Sequence, residues 1–398
     1  MKINFTRMAG LVLAFGFFFG CKAPSDLTET RSLFESGQLQ LAADQAGHQV
    51  SRNPENAEGH YLYGQILMEI AAKAAPPVRL PYYEKASHSL YRASELFGST
   101  EPAKAQNALD LLINGWAAEM NRPQTALNDS RSFDQNELSE MIHHTSNAIA
   151  LIPDSTAAFL ARSEIYYYLS DPASAVVTLE EIPVKNADIF ERIGFFYSID
   201  NHPVEAADAF EQAYQLDTEN INVLFGLINT LVEAGMSGQA ISRIGDLSLK
   251  NPANPLFPAL EGTLRFDQTD NWFMDRIDDQ SIHAAGVVAE GLAMLDLAET
   301  VFRRASDRND GDPDIHAAIG TFYLNAAGLL IDLTEITDES NDQALEQRVT
   351  SYLNNSIPHL RLVAEYEQDP SFWLSLHQIY LYLGMDEEAE AALQNAGL

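Results

Sequence analysis

The chain has one cysteine, Cys21, among 398 residues, so no disulfide can form within it and its stability has to come from apolar packing. Positive charge is also scarce. Against 57 Asp and Glu there are 24 Lys and Arg, a formal net charge of -33. Such a field repels nucleic acid and anionic lipid head groups and favours basic or neutral partners. No stretch alternates apolar and polar residues strictly enough to argue for a half-buried strand. The phosphate-cradling G-x-x-x-x-G-K-[ST], the nucleophile elbow G-x-S-x-G and the zinc-binding H-E-x-x-H are all missing. These absences lead us to expect no catalytic residue, no metal, no cofactor and no nucleic-acid partner. What the chain does have is apolar residues, 46% of the total, enough for a large core.

Those apolar residues repeat. Phe190, Ile193, Gly194, Tyr197, Ala206, Phe210 and Ala213 are followed, 34 residues on, by Leu224, Leu227, Ile228, Leu231, Ala240, Ile244 and Leu247, and Pro252 closes the second unit. Within each unit the large residues fall at helical spacing on one stripe, and small ones sit where two helix axes must approach closely. His202-Pro203 and Asp171-Pro172 put proline in a first helical turn, where its missing N–H costs nothing. The pattern resembles the tetratricopeptide (TPR) repeat family, whose period is 34 residues.

The resemblance implies an all-α fold, a right-handed α-solenoid of about nine TPR-like helix-turn-helix pairs over residues 29–398. We read 29–153 as degenerate repeats with insertions, 154–254 as regular repeats, and 255–398 as longer irregular repeats with a terminal one. The prolines Pro76, Pro77 and Pro81 predict a break in the second pair. A loop is expected over 121–134, and Pro358 is expected to interrupt a late helix.

The family binds partners in its concave groove. Carried over position by position, the groove residues here are Glu58, Tyr61 and Gln65, then Glu164 and Tyr167, then Asp188, Glu191 and Phe195, then Asn222, Phe225 and Asn229. None is basic, whereas the family's clamp for a peptide carboxylate uses Lys, Arg and Asn. The resemblance therefore implies a non-enzymatic protein-protein interaction scaffold or adaptor for a protein or peptide with basic or polar segments. The alternative is a small-molecule or glycan-binding lipoprotein of a solute-uptake system. Trp272 and Phe273, within the acidic segment 267–279, are either an exposed docking loop or a plug in an irregular part of the solenoid. His143 and His144 are adjacent, so on a helix they point apart; they read as surface or core histidines. The acidic run 307–314 lacks the closing glutamate of a calcium loop and reads as an inter-repeat turn.

Residues 1–20 begin with Lys2 and Arg7 and end in an apolar run, 8–20, of 13 residues. That is too short for a spanning helix, which needs about 20, and suits a signal-peptide core. With Gly20-Cys21 at its end it resembles a bacterial lipoprotein signal peptide. The resemblance implies lipidation (palmitate among the acyl chains) of Cys21 and a flexible tether over 21–28. Lys22 after the cysteine resembles the outer-membrane pattern. The expected location is therefore the cell envelope, as an outer-membrane lipoprotein facing the periplasm and held to the membrane by its lipid anchor alone.

Overall fold

The structure, a computed structural model, describes residues 27–397 apart from 130–131, 285, 309–310, 337–338 and 368. The leader and Cys21 lie outside the described residues, as does the centre of the acidic run 307–314. Among the described residues there are eighteen α-helices and no strand, the all-α repeat solenoid expected from the 34-residue period. The chain divides into two compact units, Met1–Asp200 and Asn201–Leu398.

The first unit holds α1 (Thr28–Glu35), α2 (Leu39–Arg52), α3 (Ala57–Lys73), α4 (Leu80–Phe97), α5 (Pro102–Leu127), α6 (Gln135–Leu151), α7 (Thr156–Tyr168), α8 (Pro172–Glu180) and α9 (Ala187–Ile199). Each helix packs on the next in chain order, the nearest-neighbour arrangement that lets hairpins too poor in apolar surface to stand alone share one core. Polar side chains start them: Asn56, Asp134, Ser155, Asp171 and Asn186 each accept a hydrogen bond from the backbone N–H three residues on, satisfying one of the donors a helix leaves open. Gly64 in α3 lies so close to α4 that a Cβ there would be 2.4 Å from Leu90 Cγ. The motif's small residue therefore marks a close helix crossing, as the spacing predicts.

In the second unit are α10 (Pro203–Leu216), α11 (Ile221–Glu233), α12 (Ser237–Lys250), α13 (Leu256–Asp278), α14 (Val287–Arg308), α15 (Pro313–Ile336), α16 (Glu339–Glu367), α17 (Pro370–Tyr382) and α18 (Asp386–Asn395). The core of α13, α14 and α15 is built on Phe266, Phe302 and Phe322, with Phe302 and Phe322 stacked at 4.4 Å and Phe266 edge-on to Phe322 at 5.6 Å. Gly320 repeats the role of Gly64: a Cβ there would be 2.7 Å from Leu360 Cδ2. α15 is long and apolar enough to cross a membrane, but Ala326, Ala327, Leu330 and Leu333 are each 0% exposed, which makes it a core helix of this unit.

Four expectations are corrected. The tether stops short of residue 28, because Leu27 is buried and Thr28 already opens α1. The expected loop over 121–134 is helical as far as Leu127, with Pro123 buried inside α5. Pro358 likewise sits within α16 and does not interrupt it. The segment 267–279 is not a docking loop: α13 runs through it to Asp278, since Phe266, Phe273 and Ile277 keep helical spacing behind the exposed acids. Phe273 is 0% exposed. Trp272 is half-buried, with the Arg276 guanidinium 3.7 Å from its ring centroid, so one face of the indole is already covered. The plug reading is the one that fits.

Candidate functional site

In the first unit, α7 buries Ala158, Phe159, Ser163 and Ile165, and α9 buries Ile189, Ile193, Gly194 and Phe196. Fixing those faces inward turns Glu164, Tyr167 and Tyr168 outward from α7, and Asp188 and Phe195 outward from α9. Tyr167, Tyr168 and Phe195 remain 45%, 45% and 44% exposed. Tyr167 touches both of the others. Tyr167 lies 5.8 Å from Phe195 and 5.8 Å from Tyr168, and Tyr168 lies 5.2 Å from Phe133, the residue just before Asp134, which caps α6. Buried Phe196 supports the row from 6.1 Å below Tyr167.

Neither phenol has a hydrogen-bond partner among the described residues, so both O–H groups are available to a ligand. Asp188 is exposed and Glu164 and Glu191 are half-buried, while Arg192, one turn from Asp188, is the basic residue on the same side of α9. The face offers apolar contact, two phenolic donors and a surplus of carboxylates. That is chemistry for holding a ligand; a nucleophile with an adjacent base is not part of it. Of the sequence-expected positions, Tyr167 and Phe195 are in contact, Glu164 lies one turn before Tyr167 on α7, and Asp188 and Glu191 precede Phe195 on α9; Tyr168 and Phe133 are added by the fold.

The remaining groove positions fare differently. Tyr61 is half-buried and packs its ring edge-on against Phe97 at 6.2 Å, which makes it part of the packing around Phe97 more than an open surface. Gln65 in α3 is half-buried. Glu58 is already neutralised: Lys104 donates to it at 2.6 Å and Arg31 at 3.0 Å, and the Lys104 hydrogen bond, opposed by partial burial and helped by both positive charges, holds its carboxyl below the usual range. The stripe that carries no base in the sequence therefore receives two from α1 and α5.

In the second unit Phe225 is half-buried and Asn222 and Asn229 are exposed. Leu227 and Leu231 lie on the opposite side of α11, where they line a cleft of about 370 Å³ with residues of α10 and α12. A neighbouring cleft of about 640 Å³ is lined by Tyr214, Leu224, Lys250 and Phe257 among others. Arg243 lines both; it is ion-paired with Glu211, and its guanidinium lies 5.4 Å from the Tyr214 ring centroid.

Two polar constellations escaped the sequence reading. Glu119, 1% exposed in α5, accepts hydrogen bonds from Arg79 Nη1 at 2.8 Å, Tyr83 Oη at 2.9 Å and Asn147 Nδ2 at 3.3 Å, and lies 2.7 Å from His144 Nδ1. His144 is accordingly the core residue of the histidine pair. The signal available was a charged residue at helical spacing among Leu112, Met120 and Pro123, all buried. The second constellation is His316 and His359, whose Nδ1 atoms are 2.7 Å apart. Burial, with the His316 charge second, pushes His359 down to about 4.

A histidine depressed in the folded state favours the neutral ring, so its contribution is complete above the unfolded value of about 6.5 and is lost as pH falls towards 4. We expect the thermal midpoint of the parent protein to drop between those pH values, and His359→Gln to flatten that part of the profile in a pH series of melts. No group of three or more His, Cys, Asp or Glu placed to hold a metal ion occurs among the described residues.

A tetratricopeptide repeat model matches residues 200–263, which take in α10, α11, α12 and the start of α13. No curated protein matches the sequence. Among solved structures, YrrB, a TPR protein with an unusual peptide-binding site, is 18% identical over 42% of this chain and 78% of its own, with a TM-score of 0.28. The C-terminal part of a TPR repeat-containing protein from Cytophaga hutchinsonii is 14% identical over 71% of this chain and 93% of its own, with a TM-score of 0.39. A tetratricopeptide repeat protein from Parabacteroides merdae is 13% identical over 73% and 95%, with a TM-score of 0.24.

Proposed function

We propose that this protein is a non-enzymatic scaffold of the cell envelope that holds a segment of a partner protein on the aromatic face of its first unit. One observation carries the reading: three large rings, Tyr167, Tyr168 and Phe195, stand about half exposed, with Tyr167 touching both of the others. Leaving contiguous apolar rings in water costs free energy that folding could have recovered, and such a patch on a stable helical framework marks an interaction surface. The carboxylates beside it favour a partner segment with Lys or Arg, and the net charge of -33 draws such a segment in. Replacing Tyr167 and Phe195 together by Ser should weaken partner retention from native envelopes by at least about tenfold while costing stability no more than about 1 to 2 kcal/mol per site, since the rings are partly covered by one another and by Phe196. Leu249→Ser, at a position 76% exposed in the other unit, serves as the control. Retention that survives the double substitution would sink the proposal.

In the same reading, Cys21 carries lipid and keeps the scaffold at the outer membrane, supported by the apolar run 8–20 that ends directly at Gly20-Cys21. A diacylated terminus holds a protein firmly to a bilayer. Cys21→Ser should therefore move the protein from the membrane fraction to the soluble fraction, as read by immunoblot, and intact mass should show acylation of the parent alone. A parent protein whose native N-terminus is still Met1 would exclude the anchor.

A further inference from the structure

The aromatic face also says which kind of segment it fits. We infer that it takes a proline-rich segment in the polyproline II conformation, with Lys or Arg next to the prolines. This rests on the reading of that face as a protein-binding surface, and narrows it to one ligand class.

The first argument is spacing. Phe133, Tyr168, Tyr167 and Phe195 are linked one to the next at 5.2, 5.8 and 5.8 Å. A polyproline II helix has three residues per turn and rises about 3.1 Å per residue, so residues on one face recur roughly every 9 Å, and four linked rings give such a ligand more than one point of contact. An α-helical ligand repeats about every 5.4 Å, but its body is about 10 to 12 Å across, against a contact surface made of single rings.

The second argument is ring orientation. Successive ring planes are inclined at 67°, 57° and 58°, so the surface is corrugated. Pyrrolidine rings and their neighbours can seat between such ridges. A sugar or base stacks on a flat platform, which this row does not provide.

The third argument is hydrogen bonding. A proline-rich backbone has carbonyl acceptors and few N–H donors. The Tyr167 and Tyr168 hydroxyls are donors with no partner among the described residues, and they stand on the row itself. An extended strand would bring a full set of N–H groups, and no strand edge exists among the described residues to receive them. A preformed polyproline helix also loses little conformational freedom on docking. The fourth argument is charge: Glu164 and Asp188 outnumber Arg192 on these two helices' outward faces.

The test is titration calorimetry of the purified full-length protein at physiological salt with three probes. These are an acetylated, amidated peptide of four Pro-Pro-Lys triplets, its Ala-Ala-Lys counterpart of equal charge, and cellohexaose. We expect the proline peptide to bind at least about tenfold more tightly than the alanine peptide. Tyr167→Ser should remove at least about tenfold of that affinity, and Tyr167→Phe, which keeps the ring and loses the donor, should fall between parent and Ser.

Equal binding of the two peptides overturns the inference, as does a Tyr167→Ser protein that binds the proline peptide like the parent, or tight binding of cellohexaose alone. If no probe binds while the native partner is still lost in the Tyr167/Phe195 double variant, the polyproline assignment fails and the scaffold reading stands. If that double variant also keeps its partner, both fail.

Discussion

Phe273→Ala should destabilise the second unit by about 3 to 5 kcal/mol, the range for deleting a fully buried ring from a core that cannot collapse around the hole. The ring is 0% exposed, and the fold shows why the space would stay empty. Its Cζ presses on the backbone of α14 at Gly291, where a Cβ would lie 2.1 Å away, and its edge meets Trp272 at 5.2 Å. One helix has been left without a side chain to let the ring of another in. Gly291→Ala in the parent should therefore overpack and cost about 1 to 3 kcal/mol, whereas in the Phe273→Ala background the added methyl has room. The double variant should be more stable than the sum of the singles by an amount that urea denaturation followed by circular dichroism can resolve. Strict additivity would show that the ring and the glycine are not in contact.

Glu119→Ala is expected to be comparably damaging in the first unit, again about 3 to 5 kcal/mol, because it removes the acceptor shared by Arg79, Tyr83, Asn147 and His144 and leaves the Arg79 side chain, 20% exposed, without its counter-ion. The cluster also fixes the backbone around the break between α3 and α4: Asn147 donates to the Pro76 carbonyl and Arg79 Nε to that of Ala74. Glu119→Gln keeps one acceptor and should cost less. Burial alone would raise the Glu119 pKa, but the hydrogen bonds from His144, Arg79, Tyr83 and Asn147 together outweigh it and hold the carboxyl below its ordinary value. A depressed folded-state pKa means the contribution is present in full above the unfolded carboxylate value and is lost as pH falls through the folded one. Acid melts should accordingly be steeper for the parent than for Glu119→Gln. Parallel acid profiles would contradict the role assigned to this carboxylate.

Where the sequence was readable, repetition made it so. The stripes of α7 through α12 recur with the same large and small residues, and that periodicity announces both the helices and their buried faces. Proline misled at Pro123 and Pro358 because a helix-breaking residue is a local cost, whereas α5 and α16 are each held by the helices packed before and after them. The acids of 267–279 suggested a loop only because they mask Phe266, Phe273 and Ile277, spaced as one helical stripe beneath them.

Of the candidate site, Tyr167 and Phe195 were legible from the repeat register. Tyr168 and Phe133 were not, since their contact joins the end of α7 to the loop before α6. Nor could register foresee Lys104 and Arg31 converging on Glu58, or four donors converging on Glu119 from as many as 40 positions away; such pairings belong to the packing of whole helices.

The claim that matters most is that the exposed rings of the first unit are where a partner sits. Placing the photo-crosslinker p-benzoylphenylalanine at 167, at 195 and, as control, at the exposed position 249, and irradiating native envelopes, tests it directly. The same crosslinked protein should be recovered from 167 and 195 and not from 249, and recovery should fall when the neighbouring ring is replaced by Ser. Equal recovery from 249, or none from either ring position, would contradict the account.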